Sequence, residues 1–240
     1  MPSPELDLHL DGFEAADEQT DEAFWQTIEI EQDMLTVLAE HHTDEDSASY
    51  YVLHNGAATY GIPGEPQVVA LHLQRDLAAK TFRFEHTLLP LPVMAQSWLI
   101  SRGCPPDDIR LPPGTGTAPA DETTRVLEER LMGDGDRFTI LTSYTNDDPD
   151  SVLTLVVLRA LEERAPFPFR VLHEDVNTDT WTHTLREGGF ATAEDALQWY
   201  EECLAGNAGP LPSVTPTARS LQTRGAAPTA PVGRPSGRRR

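Results

Sequence analysis

The sequence predicts an α+β protein built from two small halves, each an antiparallel sheet flanked by helices, with a disordered C-terminal tail. Amphipathic helical patterns open and close each half, and the strand-like runs between them are joined by loops too short for parallel crossovers. Residues 105–120 hold five prolines and two glycines, too many for a packed element. We therefore place an N-terminal half at 1–104, a linker at 105–120, a C-terminal half at 121–206 and the tail at 207–240.

The N-terminal half is predicted to contain a helix, three strands and a second helix. After an acidic first turn, apolar side chains recur at helical spacing through residues 21–41, which predicts one long helix. Three runs typical of strands follow, SYYVLHN, QVVALHLQ and FRFEHTLLPL. The second helix begins at Pro92, which suits a first helical turn, and ends before Gly103. The side chains of the first helical stripe are Phe24, Ile28, Leu35 and Leu38.

The C-terminal half is predicted to contain a helix, four strands and a helix. The first helix runs from about Asp121 to Met132, with Gly133 as its cap. The strands are RFTILTSYT, VLTLVVLR, FRVLHEDV and WTHTLRE. Thr192 caps the last helix and Asp195 takes the capping-box position. The similar order of elements in the halves suggests a duplicated unit, although the sequence shows no repeat.

Charge is unevenly distributed along the 240 residues. The tail has six arginines and no acid, so residues 1–206 hold all 39 Asp and Glu and 12 of the 18 Lys and Arg, a formal charge of −27. Such a field repels nucleic-acid phosphates and anionic membranes and favours a basic partner. The N-terminus lacks the features of a secretory signal and no apolar run reaches membrane-spanning length, so we expect a cytoplasmic protein with no direct binding of nucleic acid or membrane.

Motifs for the common cofactors are incomplete. PPGTGTAP lacks the Gly-Lys-Ser/Thr ending of a phosphate loop, and SYTNDDPD lacks the glycine and final glutamate of a calcium loop. The two cysteines, Cys104 and Cys203, have no paired spacing and indicate buried or incidental thiols. We therefore predict no cofactor and assign no metal site.

The stretch FRVLHEDVNTDTWTHTLREGGF, residues 169–190, reads as a hairpin with two plausible registers. If Val176 lies opposite Trp181, then Glu174 faces His183 among apolar neighbours, and the apolar side chains share one face. Such a pair satisfies two polar groups within a sheet, or it forms a catalytic pair in which the carboxylate orients the imidazole.

The other register places Asn177 opposite Trp181. It gathers His173, Asp175 and His183 on one face at a spacing that suits zinc or iron, but it scatters the apolar side chains, so the first register is favoured. The candidate catalytic residues are accordingly Glu174 and His183. His173, Asp175 and Trp181 are candidate binding residues.

The segments WLISRGCP, RVLEERLMGDGDRFTILTSYTND and FRVLHEDVNTDTWTHTLREGGFATAEDALQW together resemble a group of proteins from Streptomyces and related actinobacteria. The resemblance covers roughly residues 90–205 and is one of overall pattern. It implies a cytoplasmic actinobacterial protein and transfers no activity or catalytic residue.

Two functions follow as hypotheses. The leading one is a non-enzymatic acidic binding or regulatory protein that engages a basic protein partner, because the charge is strong and no nucleophile, metal set or phosphate loop is complete. The alternative is a small hydrolase or ligand-binding enzyme on the C-terminal sheet, in which Glu174 and His183 act as base and orienting acid.

Overall fold

A computed structural model describes residues 6–134, 137–148, 152–162, 165 and 167–214. It contains two five-stranded sheets flanked by helices, which confirms the predicted α+β class. In each sheet four consecutive strands pair antiparallel, and a two-residue strand pairs parallel at one edge.

The first sheet has the order β1-β5-β4-β3-β2 and the second β6-β10-β9-β8-β7. The first comprises β1 (Glu14–Ala15), β2 (Leu35–His42), β3 (Ala48–Asn55), β4 (Val68–Asp76) and β5 (Thr81–Leu89). The second comprises β6 (Ala118–Pro119), β7 (Phe138–Asn146), β8 (Leu153–Ala160), β9 (Phe169–Asn177) and β10 (Thr182–Phe190).

Five α-helices accompany the sheets in the described parts of the chain. They are α1 (Glu18–Phe24), α2 (Ala58–Gly61), α3 (Pro92–Ile100), α4 (Glu122–Met132) and α5 (Ala193–Leu204), and a π-helical turn (Trp25–Glu29) and a 3-10 turn (Gln32–Met34) follow α1. Even the longest, α5, has 12 residues, and no helix among the described residues is long and apolar enough to cross a membrane.

The two halves repeat one structural unit. Both sheets have the same strand order, and both interrupt the pairing of their outer strand with a bulge, at Val37–Ala39 and at Ile140–Thr142. The helix after each short edge strand is capped by an aspartate, Asp17 or Asp121, which accepts a hydrogen bond from the amide three residues later. Equivalent positions in the halves can therefore be matched through the strand registers.

The predicted helix over residues 21–41 is wrong in its second part, because the helical backbone continues past Phe24 only as a π-helical turn to Glu29, and the chain forms β2 from Leu35 onward. Leu35 packs with Phe24 and Ile28 as the helical spacing suggested, but Leu38 packs on the other side of the sheet. Pairing with the buried strand β3 outweighs the local helical pattern. The N-terminal half therefore has four long strands, as the C-terminal half does.

Contacts between the halves are both apolar and polar. Leu91 and Val93, at the start of α3, belong to the buried cluster under α4. The amide of Thr145 donates to the carbonyl of Gly64 at 3.1 Å, and Gln67 donates to Asp147 at 2.9 Å. These contacts fix how the second sheet faces the first half.

The chain after α5 packs on the second sheet before the described residues end. Trp199 Nε1 donates to the carbonyl of Gly209 at 2.9 Å, and the amide of Gly189 donates to the carbonyl of Pro212 at 3.1 Å. Residues 207–214, predicted as the start of the tail, are thus held against the sheet. The rest of the predicted tail, residues 215–240, lies outside the described residues.

Candidate ligand-binding cleft

A cleft of about 650 Å³ lies between the two halves, and we call it the interhalf cleft. One wall is the α4-facing side of the second sheet, and the other combines the ends of β3 and β4, the start of α3 and residues 110–119. Its size is that of a small-molecule site, which typically measures about 300–1,000 Å³. The segment predicted as a linker at 105–120 therefore also forms a wall of the cleft. Polar side chains that line the cleft include Thr117 from residues 110–119 and, on the second-half wall, Glu128, Thr145, Thr154, Glu174 and His183.

The hairpin of β9 and β10 pairs His183 with Val176 and Leu185 with Glu174. The favoured register of the sequence analysis placed the correct side chains on one face. Its residue pairs, however, differ from the observed ones by two residues, because Val176 lies opposite His183 rather than Trp181. The offset arises at the turn, where Asn177 Oδ1 accepts from two following amides and Trp181 adopts a left-handed backbone with φ 56°. Glu174 and His183 are consequently diagonal neighbours on the face that borders the cleft.

A polar row crosses this face from strand to strand. Thr145, Thr154 and Glu174 are register partners on β7, β8 and β9. Both threonines are buried, at 5% and 4% exposure, and Glu174 is half-buried. The Thr145 hydroxyl has no hydrogen-bond partner among the described residues, although a buried hydroxyl normally has one.

His183 is held from both of its ring nitrogens. Its Nε2 lies 2.8 Å from Glu128 Oε1 on α4, and its Nδ1 lies 2.9 Å from Thr117 Oγ1. Burial alone would lower the pKa of the imidazole, but the hydrogen bond with Glu128 and the charges of Glu174 and Glu128 raise it above its usual value. These interactions stabilise the imidazolium form relative to a free imidazole, and in that form both nitrogens donate and the Glu128 carboxylate is the counter-charge.

The pKa of the Glu174 carboxyl is also raised. Burial is the main cause, and the negative charge of Glu128 adds to it. The charge of His183 and a hydrogen bond from Thr154 act in the opposite direction without cancelling the effect. Glu174 is thus a carboxyl group whose ionised form the protein stabilises poorly.

The first half carries an apolar pair where the second half has Glu128 and His183. Phe82 and His183 take the same register position beside the edge strand of their sheet. Phe24 and Glu128 each follow their helix-capping aspartate by seven residues. The two phenylalanine rings pack edge to face, 5.0 Å between centroids, inside the buried cluster. The same architecture therefore accepts an apolar core at this point.

The position of Glu174 is also apolar in the first half, where the register places Leu73. Leu73 shares its buried cluster with Leu6 and Leu8 of the N-terminal segment. That segment is tied down by Tyr51, which donates to the carbonyl of Asp7, and by an arginine on β4. In the first half this face is thus covered by the chain itself, whereas in the second half it borders the interhalf cleft.

The other predicted site residues lie apart from this polar row. His173 projects from the opposite face of β9, where its ring lies 6.2 Å from that of Trp199 on α5, and Asp175 on the same face is exposed. Trp181 lines the cleft at its rim and is 59% exposed. The observed register therefore does not bring His173, Asp175 and His183 together.

Glu128, Thr117 and the two buried threonines were not predicted from the sequence. One signal existed for Glu128, because it lies four residues after Thr124 and three before Leu131, both on the buried face of α4. A charged residue beside the buried face of a helix is expected to have an ion-pair or hydrogen-bond partner. No local pattern marks Thr117, which meets His183 from 66 residues away.

A second group of candidate metal ligands lies in the first half, formed by His9, His42 and Asp46. One ligand atom from each lies within 4.8 Å of the others. The two imidazole rings, however, are stacked at 4.4 Å with planes only 1° apart, and a metal ion must lie near the plane of each imidazole that binds it. Arg75 also lies 3.8 Å from Asp46. This arrangement is a stack of rings rather than a metal site.

Neither cysteine is an activated nucleophile. Burial raises the pKa of Cys104 to about 12, with a further contribution from Asp108, and burial also raises the pKa of Cys203. Both groups are therefore thiols near neutral pH.

Comparison with known proteins gave no match to a family model, a curated protein or a solved structure. The similarity to the actinobacterial group stays a prediction from the sequence.

Proposed function

We propose that the protein binds a small organic molecule in the interhalf cleft. The observation that carries this proposal is the exchange of an apolar core, Phe24, Phe82 and Leu73, for Glu128, His183 and Glu174 at the equivalent positions. The exchange occurs where the second half borders an open cleft of ligand size.

The free-energy cost of these buried polar groups supports a ligand. Burying carboxyl and imidazole groups costs folding free energy unless they are paired, and a buried hydroxyl without a partner adds to that cost. The first half shows that this architecture tolerates an apolar filling. A few buried polar side chains that reduce the stability of the fold, in a cleft with mostly apolar walls, are typical of a site that orients a bound molecule.

Binding is a better account than catalysis by Glu174 and His183. A general base must be unprotonated and must have a free nitrogen directed at the substrate. Both nitrogens of His183 have partners, and its surroundings favour the charged form. The hydrolase alternative therefore has less support than binding without a chemical step.

A basic protein partner, predicted from the charge of residues 1–206, is the second candidate. An acidic surface accelerates association with basic partners without a dedicated pocket. A pull-down from the native host, comparing the full chain with residues 1–206, tests it. A stoichiometric basic protein retained by both forms would support that candidate, and its absence would weaken it.

The test of ligand binding is a thermal-shift screen of small metabolites and fragments with two matched variants. Met132→Trp fills the cleft from the end of α4, whereas Val126→Trp adds the same ring on the exposed face of that helix. We expect ligands that stabilise the wild type and Val126→Trp but not Met132→Trp. The proposal fails if no compound stabilises the wild type saturably, or if Met132→Trp responds as the wild type does.

A further inference from the structure

We infer that the ligand of the interhalf cleft has an apolar body and one positively charged nitrogen, with Glu174 as the counter-ion of that nitrogen. This inference rests on the proposed function and specifies the class of ligand.

Glu174 is faced by one acidic and one basic side chain. From β10 and α4 these are His183 and Glu128, which lie 2.8 Å apart and compensate each other. On β8 its neighbour is the neutral Thr154, and its partner on β10 is Leu185. The charges in contact with Glu174 therefore leave one carboxyl group in excess.

The arginines that line the cleft already have carboxylate partners. Arg110 pairs with Asp107 at 3.3 Å, and Arg125 pairs with Glu129 at 2.5 Å and also with Glu122. Both arginine side chains are about half exposed, so they lie toward solvent rather than at the polar row. Within the described parts of the chain Glu174 takes part in no ion pair. A cationic group of a bound ligand would therefore be its counter-ion.

The polar row contains a second group that lacks a partner in the part of the chain that the structure describes. The unpartnered hydroxyl of Thr145 lies two strands from Glu174, about 10 Å away at normal strand spacing. It is an independent sign that the row is built to meet another molecule. The remaining lining is mostly apolar, including Leu91, Met132 and Leu185, which suits a hydrocarbon or aromatic body.

Binding of a cationic nitrogen at Glu174 should depend on pH. Burial raises the pKa of the Glu174 carboxyl, so this group protonates more readily than an ordinary glutamate as the pH falls. A cationic nitrogen binds the carboxylate form and not the protonated one. The affinity for a cationic ligand should therefore fall as the pH is lowered through the pKa of Glu174.

The experiment uses three probes with one apolar body and different end groups: 4-phenylbutylamine, 4-phenylbutanol and 4-phenylbutyrate. Isothermal titration calorimetry measures their affinity for the wild type, for Glu174→Gln and for Glu194→Gln, a control that removes one exposed carboxylate on α5. We expect the amine to bind the wild type and the control at least about tenfold more tightly than the alcohol. In Glu174→Gln that preference should disappear.

The inference is rejected if the alcohol or the carboxylate binds the wild type as tightly as the amine does. It is also rejected if the preference for the amine survives in Glu174→Gln, or if none of the three probes binds. Ligand binding in general is judged separately, by the thermal-shift screen with Met132→Trp. A screen that succeeds with neutral molecules would keep the proposed function and remove only the charge assignment.

Discussion

Replacing the Glu128–His183 pair with the phenylalanines of the first half should cost less than breaking it. The His183 side chain is 6% exposed and that of Glu128 is 26% exposed. Each single substitution therefore leaves a largely buried polar group without its partner. The double substitution Glu128→Phe with His183→Phe removes both groups together. It also restores the kind of pair that Phe24 and Phe82 form.

The magnitudes follow from the burial of the two groups. Breaking a fully buried ion pair costs about 3–5 kcal/mol, and the partial exposure of Glu128 reduces this to about 2 kcal/mol for His183→Phe. Glu128→Phe should cost about 1–2 kcal/mol, because His183 can then release its proton. The free energy of unfolding of the double variant should be at most about 1 kcal/mol below that of the wild type. The coupling energy between the two positions is then about 2 kcal/mol or more.

The assay is urea unfolding of the four proteins at neutral pH, with the free energy of unfolding taken from midpoints at a common slope. The exposed pair Arg125–Glu129 on the same helix is the control, and its double glutamine cycle should give a coupling below about 0.5 kcal/mol. The reasoning is refuted if the two single costs simply add in the Glu128–His183 cycle.

Three further predictions concern pH, a buried hydroxyl and a turn. Because the folded pKa of His183 is raised, its contribution to stability is full below pH 6.5 and is lost as the pH rises through the folded pKa. The advantage of the wild type over His183→Gln in urea should therefore shrink as the pH rises above 6.5. Thr124→Val leaves a buried amide of β10 without its acceptor and should cost about 1–3 kcal/mol, more than Thr20→Val at the equivalent position of the first half, which is only partly buried. Gly64→Ala would place a Cβ 2.5 Å from the ring of Tyr144 on β7 and would also strain a backbone at φ 92°. Gly114→Ala is the control, because Gly114 has a similar φ of 87° but open space around it. The melting temperature of Gly64→Ala should therefore fall further than that of Gly114→Ala. Equal effects in either matched pair would contradict the packing described.

Most long elements were predictable because their signals are local. The helices α3, α4 and α5 carry an initial proline or a capping side chain together with apolar patterning, and the strands carry β-branched runs. Residues 35–42 were wrongly predicted as helix because their apolar side chains fit both helical spacing and strand alternation. Only pairing with β3 decides between the two, and that contact is not local.

The hairpin shows where sequence reasoning stops. Alternation assigns each side chain to a face, so Glu174 and His183 were correctly placed together. It does not fix the pairing beyond that, because a shift by two residues preserves every face. The partners of His183, Thr117 and Glu128, lie 66 and 55 residues away in sequence. Their meeting depends on how α4 and residues 105–120 pack on the second sheet.

The most direct test of the central claim is a methyl NMR titration with the tightest ligand from the thermal-shift screen. We expect saturable shifts at Leu91, Leu111 and Leu185, which line the interhalf cleft. Leu53 and Leu73, buried in the equivalent core of the first half, should stay unchanged. Saturable shifts confined to another surface, with the three cleft leucines unmoved, would contradict the account.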